Sequence, residues 1–156
     1  MSNYITLEGM QRLQQKINDL SQERPKVLEQ VQTAREMGDL SENAEYHAAK
    51  ERQRNIDNEL TYLNNRMASL KMIDPSTLPK DSIRFGAFIK LEEITTKQAY
   101  NYHLVGVDEV YDRDDNIIQV SIASPLGNAM IGKKLNEEFI VKAPKGEISY
   151  KVLDIS

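Results

Sequence analysis

Apolar side chains recur at alternating steps of three and four residues in two long stretches of the first half of the chain. This spacing predicts the seam of a coiled coil, in which one stripe of each helix faces a partner helix. Each stripe has one polar member, Arg24 in the first and Gln53 in the second. The first stripe is Met10, Leu13, Ile17, Leu20, Arg24, Val27, Val31 and Ala34. The second is Tyr46, Ala49, Gln53, Ile56, Leu60, Leu63, Met67 and Leu70.

The two stripes pair in antiparallel order about a single mirror point near residues 41 and 42. Two unrelated helices would have no reason to share such a point, so the pattern predicts a helical hairpin. Each helix is expected to span roughly 30 residues, which gives an arm of about 45 Å at a rise of 1.5 Å per residue. Thr6 is expected to cap the first helix and Gly38 to end it. Because the seam near the tip is small or polar, the tip is expected to pack less strongly than the base.

The pattern changes in the second half of the chain. Residues 75–82 contain two prolines, which cannot continue a helix, and this segment is predicted to be a linker. Beyond it the apolar period becomes two, which predicts several strands. Among them, Ser124 followed by Pro125 predicts a short helix with serine as its N-cap and proline as its first residue. The predicted strands are 85–94, 100–107, 117–123, 138–143 and 147–155.

These patterns predict an α+β protein. Residues 1–74 form an N-terminal antiparallel α-helical coiled-coil hairpin with its tip at about residues 38–45. Residues 83–156 form a small, curved antiparallel β-sheet with one short helix.

The composition narrows the possible functions. A net charge of -4 argues against general electrostatic binding to DNA, which requires a basic face. The absence of cysteine excludes disulfides, zinc–thiolate sites and a cysteine nucleophile. There is no Walker loop and no dinucleotide fingerprint. Since the sequence shows neither a long apolar run nor a signal pattern at its start, no membrane association is expected and a cytoplasmic location is the simplest interpretation.

The predicted tip carries two carboxylates, Asp39 and Glu42. One interpretation is structural, because an acidic residue followed three positions later by glutamate is a capping-box pattern at a helix start. The other is that both carboxylates face a metal, since Mg²⁺ prefers hard oxygen ligands. Two carboxylates on a narrow tip make an incomplete site, so a partner would supply the remaining ligands.

Basic residues follow the tip at Lys50, Arg52 and Arg54. They favour either a solvated helix face paired with neighbouring glutamates or a small patch that contacts RNA phosphates. Tyr46 is a candidate for packing in the seam or for stacking on a base, with packing preferred. His47 is expected to be an exposed helix residue.

Residues 34–51, which read AREMGDLSENAEYHAAKE, closely resemble the tip of the bacterial Gre family of transcript cleavage factors. Residues 5–9 (ITLEG) and 23–25 (ERP) resemble the family's first helix. Residues 124–126 (SPL), 131–133 (IGK) and 146–153 (GEISYKVL) resemble its C-terminal domain. The resemblance covers essentially the whole chain, and the tip resembles the branch of the family that favours short cleavage products. Asn128 departs from it, because many members have a basic residue after the Ser-Pro pair.

The resemblance implies a coiled-coil hairpin followed by an FKBP-like domain. It implies that this domain docks on bacterial RNA polymerase while the arm enters the secondary channel. Asp39 and Glu42 would then hold a Mg²⁺ shared with the polymerase and promote hydrolysis of the backtracked nascent RNA 3′ end. The chain would be an accessory factor that activates the polymerase rather than an enzyme, engaged as a monomer and associated with DNA only indirectly.

Three other classes of function are compatible with the sequence. The first is a factor that binds the channel and inhibits without stimulating cleavage, like the inhibitory Gre paralogues. The second is a prolyl isomerase, suggested only by the FKBP-like domain, and fold alone does not carry function. The third is a purely structural coiled coil, which would leave the acidic tip unexplained.

Overall fold

The computed structural model describes residues 3–38, 43–110 and 115–156. The chain divides into two compact units, Met10–Ser69 and a second unit made of Met1–Gly9 with Leu70–Ser156. The helical unit is therefore shorter at both ends than the predicted 1–74. Residues 75–82, predicted to be a linker, group with the sheet and include a 3₁₀ turn at Pro75–Thr77.

Two long helices make up the first unit. Helix α1 spans Leu7–Arg35 and helix α2 spans Ala44–Ser69. Their lengths of 29 and 26 residues correspond to an arm of about 40 Å. Cross-helix ion pairs join Lys16 to Glu59 and Arg24 to Asp57. The Asn43 side chain, just before α2, donates a hydrogen bond to the Ala34 carbonyl near the end of α1. Together these contacts pair early residues of one helix with late residues of the other, so the helices run antiparallel as predicted.

The predicted seam is the buried stripe of the hairpin. Its main cluster contains Ile17, Leu20, Val27, Ile56 and Leu63, flanked by Leu13, Leu60 and Met67. Nearer the tip, Val31, Ala34 and Ala49 are also buried but lie outside this cluster. The larger side chains therefore pack toward the base, and small ones lie toward the tip. Pro25 lies within α1 on its exposed side, where its missing N–H removes one bond of the helix ladder.

Two short strands bring the ends of the hairpin segment together in the second unit. Strand β1, Tyr4–Thr6, pairs in parallel with strand β2, Lys71–Ile73. Ile5 is fully buried, and Tyr4 packs edge-on against Phe85 at 5.6 Å between ring centroids. This pairing explains why the first residues group with the sheet rather than with the arm.

The main sheet has five strands: β3 is Phe88–Glu93, β4 is Gln98–Val105, β5 is Ile117–Ser121, β6 is Glu138–Ala143 and β7 is Gly146–Ile155. Their order in the sheet is β5-β4-β3-β7-β6. The predicted α+β class with an antiparallel sheet is confirmed except at one edge, where β5 pairs in parallel with β4. Parallel neighbours cannot be joined by a two-residue hairpin, and β4 accordingly ends at Val105 well before β5 begins at Ile117.

The short helix α3, Pro125–Met130, begins as predicted. Ser124 is its N-cap and accepts a hydrogen bond from the Gly127 amide. Helix and sheet enclose a core that includes the alternating residues Phe85, Ala87, Ile89 and Leu91, together with Val120 and Ile122. Alternation along residues 117–123 predicts the same burial for Ile118, but its side chain is 46% exposed. In the part of the chain described, no helix is both long and apolar enough to cross a bilayer.

Candidate functional site

The connection between the two helices ends at Asn43, which is the N-cap of α2. Its side-chain oxygen accepts a hydrogen bond from the Tyr46 amide at 3.1 Å, and its side-chain nitrogen donates to the Ala34 carbonyl at 2.7 Å. One asparagine thus satisfies an orphan donor at the start of α2. It also adds a second hydrogen bond to the Ala34 carbonyl near the end of α1, which accepts from the Met37 amide as well. The capping-box interpretation of Asp39 and Glu42 is wrong for α2, because Asn43 holds the cap position.

Asp39 and Glu42 themselves lie outside the described residues. Their places in the chain, between Arg35 at the end of α1 and Asn43, put them in the connection that joins the two helices. Gly38, next to Asp39, has a φ of 130°, a backbone conformation that favours glycine and that turns the chain out of the helix. The described residues contain no group of three or more metal-ligating side chains able to hold an ion.

An aromatic and basic surface follows the cap on α2. Tyr46 and His47 meet edge-to-face with ring centroids 5.5 Å apart, and the guanidinium of Arg35 lies 5.9 Å from the centre of the Tyr46 ring. A groove of about 260 Å³ is lined by Tyr46, His47, Lys50, Gln53 and Arg54. We call these five residues the basic groove. It combines aromatic rings with positive charge, a combination that suits a nucleotide.

The three basic residues predicted to contact RNA do not share one surface. Lys50 and Arg54 lie four residues apart and line the basic groove. Arg52 lies two residues from each, which places it about 200° around the helix. It lines a different groove, of about 610 Å³, together with Glu45, Ala48 and residues of α1.

Arg52 is engaged in a structural ion pair. Its Nε donates to Oε2 of Glu23 at 2.8 Å, and its terminal nitrogen donates to Oε1 at 2.9 Å. This two-point pairing across the hairpin fits the fork of the guanidinium to the carboxylate. Arg54 instead pairs with Glu51 one turn away on the same helix, and both side chains are largely exposed. Arg54 can exchange that weak partner for a phosphate at little cost.

From the sequence, Tyr46 and His47 are considered one at a time. That interpretation does not predict that they line one groove with Lys50 and Arg54. The signal was present, because positions 46, 47, 50 and 54 follow the spacing of one helical face. The role of Asn43 was also missed, although asparagine is among the preferred N-cap residues.

Two family models together match nearly the whole chain. Residues 3–72 match the family model described as transcription elongation factor, N-terminal, and residues 78–156 match that of transcription elongation factor, GreA/GreB, C-term. The chain is 43% identical over 151 residues to transcription elongation factor GreA of a Nitratiruptor species, covering 97% of this chain and 91% of that protein. It is 39% identical over 153 residues to GreA of Thermodesulfovibrio yellowstonii, with coverages of 97% and 95%.

Two solved structures are similar over nearly their full length. GreA factor homolog 1 (Gfh1) of Thermus thermophilus is 20% identical, with 98% of this chain and 97% of that chain covered and a TM-score of 0.43. The elongation factor GreA/GreB from Nitrosomonas europaea is 16% identical, with 98% of each chain covered and a TM-score of 0.42.

Proposed function

Because this chain belongs to the GreA/GreB family of transcription elongation factors, we propose that it enters the secondary channel of a bacterial RNA polymerase and stimulates cleavage of the backtracked RNA 3′ end. Cleavage removes the extruded RNA and leaves a new 3′ end in the active centre, so that an arrested complex resumes synthesis. The chain acts in the cytoplasm as an accessory factor, while the polymerase remains the enzyme.

The observation that carries the proposal is the helical hairpin, whose first helix ends at Arg35 and whose second begins at Ala44. Two antiparallel helices of 29 and 26 residues hold a short connection at the end of an arm of about 40 Å. Such an arm is slender enough to deliver a few side chains into a channel. The side chains at that connection include Asp39 and Glu42.

We assign to Asp39 and Glu42 the task of completing a Mg²⁺ site with ligands from the polymerase. Carboxylate oxygens are the donors that this ion prefers, and two of them leave coordination positions for the partner. When bound, the ion would supply Lewis-acid activation of water and charge neutralisation at the phosphodiester. The capping of α2 by Asn43 supports this role, since the start of α2 has its own cap.

We assign contact with the extruded RNA to the basic groove. Lys50 and Arg54 provide cations for phosphates, and the Tyr46 ring offers a surface for a base. Arg35, near the Tyr46 ring, adds a third positive charge on the same side. Arg52 serves the arm instead, through its two-point pairing with Glu23.

The test uses a stalled, backtracked elongation complex with labelled RNA and Mg²⁺. Native protein is expected to accelerate RNA cleavage, and both Asp39→Asn and Glu42→Gln are expected to remove the acceleration while polymerase binding is kept. A native protein that binds but slows both cleavage and elongation would instead identify a channel-blocking inhibitor. A native protein that does not bind polymerase would overturn the proposal altogether.

A further inference from the structure

Glu109 is a buried carboxylate of the sheet unit that the proposed function does not use. It is 4% exposed and lies in the loop that follows β4. Its Oε2 accepts hydrogen bonds from the backbone amides of Thr6 at 3.0 Å and Gly106 at 2.8 Å. The hydroxyl of Thr6 donates to Oε1 of the same carboxylate. A buried carboxylate is costly unless such donors surround it, so these contacts are what keep Glu109 in place.

The contacts of Glu109 complete the start of α1. Thr6 is the N-cap, and its hydroxyl accepts from the amide of Gly9, the third residue of the helix, at 3.1 Å. In an ordinary capping box, the third helical residue is a glutamate whose side chain reaches back to the amide of the cap residue. Here that residue is Gly9, which has no side chain. Glu109, 103 residues farther along the chain, supplies the carboxylate to the Thr6 amide.

Two glycines make room for this arrangement. A Cβ atom at Gly9 would lie 2.6 Å from Cγ of Glu109 and closer still to its carboxyl oxygen, so an alanine or glutamate at position 9 would collide with it. A Cβ atom at Gly106 would lie 3.0 Å from Oε2 of Glu109 and would collide with the carbonyl of Tyr4. Glycine within a helix is destabilising relative to alanine, so its presence here needs a reason. The Glu109 carboxylate occupies the space that a side chain at position 9 would need, and this explains why a glycine stands there.

We propose that Glu109 is a positioning residue that anchors the first turn of α1 to the loop after β4 through this long-range capping box. Helix α1 is continuous from Leu7 to Arg35, so a constraint on its first turn is passed along the helix. A local capping glutamate would stabilise the helix equally well but would not tie it to the loop after β4. The consequence for cleavage rests on the proposed function, whereas the anchor itself does not.

The central variant pair separates capping from anchoring. Glu109→Ala removes both. Adding Gly9→Glu to that variant restores a local capping box, Thr6 with Glu at position 9, in the space that Glu109 has vacated. Glu109→Gln is a milder variant, since it keeps the shape but loses the charge. Glu137→Ala is the control, because Glu137 also accepts a backbone hydrogen bond, from Lys134, but at an exposed site.

The anchor is measured without reference to polymerase. The chain has no cysteine, so single cysteines introduced at the exposed Asn58 on α2 and Lys142 on β6 take spin labels cleanly. Pulsed EPR then reports the width of the distance distribution between the two units. We expect Glu109→Ala to broaden it and to speed hydrogen exchange at the Thr6 and Gly106 amides. In the double variant we expect the melting temperature to recover and the Thr6 amide to be protected from hydrogen exchange again. The Gly106 amide should still exchange fast, and the distance distribution should stay broad.

Cleavage in the backtracked complex gives the functional readout. We expect Glu109→Ala and the double variant both to stimulate cleavage about tenfold less than native protein, since a loosely held arm misplaces its tip. An unchanged distribution in Glu109→Ala would overturn the anchor. Full recovery of stimulation in the double variant would show that Glu109 only caps the helix. If native protein does not stimulate RNA cleavage, the proposed function is wrong. The proposal for Glu109 is then tested by the EPR distance distribution alone.

Discussion

The Nε atom of Arg24 donates a hydrogen bond to Oδ1 of Asp57 at 2.6 Å, across the helical hairpin. Gln53, one turn before Asp57, also lowers the pKa of this carboxyl, although less than Arg24 does. Arg24 and Gln53 are the two polar residues of the otherwise apolar seams, and both interact with Asp57. The Arg24 and Asp57 side chains remain 40% and 41% exposed, so their ion pair adds little stability. We infer that the trio mainly fixes the register of the two helices.

The Arg24–Asp57 pair predicts an acid dependence of arm stability. The hydrogen bond from Arg24 lowers the pKa of Asp57 below its ordinary value of 3.8. A lowered folded-state pKa stabilises the folded protein above the ordinary value, and this contribution is lost as the pH falls through the folded value. Urea unfolding followed by helix circular dichroism should therefore show a loss of stability below about pH 4 that is smaller in Asp57→Asn. The same acid loss in both proteins would exclude Asp57 as its source.

The seam predicts a sharp contrast between neighbouring positions of α2. Leu63 is 4% exposed in the hairpin core, whereas Tyr62 is 62% exposed. Leu63→Asp should destabilise the arm by about 3 kcal/mol or more, because it buries a charge and empties the core. Tyr62→Asp should cost less than about 1 kcal/mol. Chemical unfolding monitored by circular dichroism measures both, and equal losses would refute the observed pairing of the helices.

The division of basic residues between two grooves predicts two kinds of defect. The double variant Lys50→Ala/Arg54→Ala should weaken cleavage stimulation and reduce its salt dependence while leaving the unfolding curve nearly unchanged. Arg52→Ala should instead lower arm stability by about 0.5–1 kcal/mol, through loss of the pairing with Glu23. Its stimulation at saturating concentration should stay near that of native protein. A larger functional loss in Arg52→Ala than in the double variant would reverse the assignment.

Burial of Tyr102 predicts an alkaline limit to the stability of the sheet unit. Removal from water is the largest of the effects that raise its pKa to about 12, with Tyr150 and Tyr100 adding to it. Because the folded pKa lies above the ordinary value of 10.0, this contribution is complete below pH 10 and is lost as the pH rises toward 12. Tyrosinate absorbance during alkaline unfolding measures it. Tyr102→Phe should reduce the alkaline loss, and Tyr100→Phe, at a 41% exposed position, should leave most of it.

Features with a local signature could be predicted from the sequence. The seam follows from helical periodicity, and the N-caps Thr6 and Ser124 follow from residue type at a change of period. Strand β6, Glu138–Ala143, has the predicted bounds because apolar alternation runs through it and a Pro-Lys-Gly turn follows its last residue. Each of these depends on residues within a few positions of one another.

Features that join distant residues could not be predicted in the same way. Nothing near Thr6 indicates that its capping partner is Glu109, and a glycine at position 9 argued only against a local capping box. The parallel pairing of β5 with β4 is not encoded in the alternation within either strand. The two-point pairing of Arg52 with Glu23 joins residues 29 positions apart, so no local pattern separates it from a contact with RNA.

The most direct test of the proposed function is RNA cleavage in a stalled, backtracked elongation complex, comparing native protein with Asp39→Asn at equal occupancy of polymerase. We expect cleavage to accelerate with native protein only, because asparagine keeps the size of the side chain but removes the charge that the metal requires. Equal acceleration by both proteins would contradict the role of Asp39. Bound native protein without acceleration would place this chain among factors that block the channel.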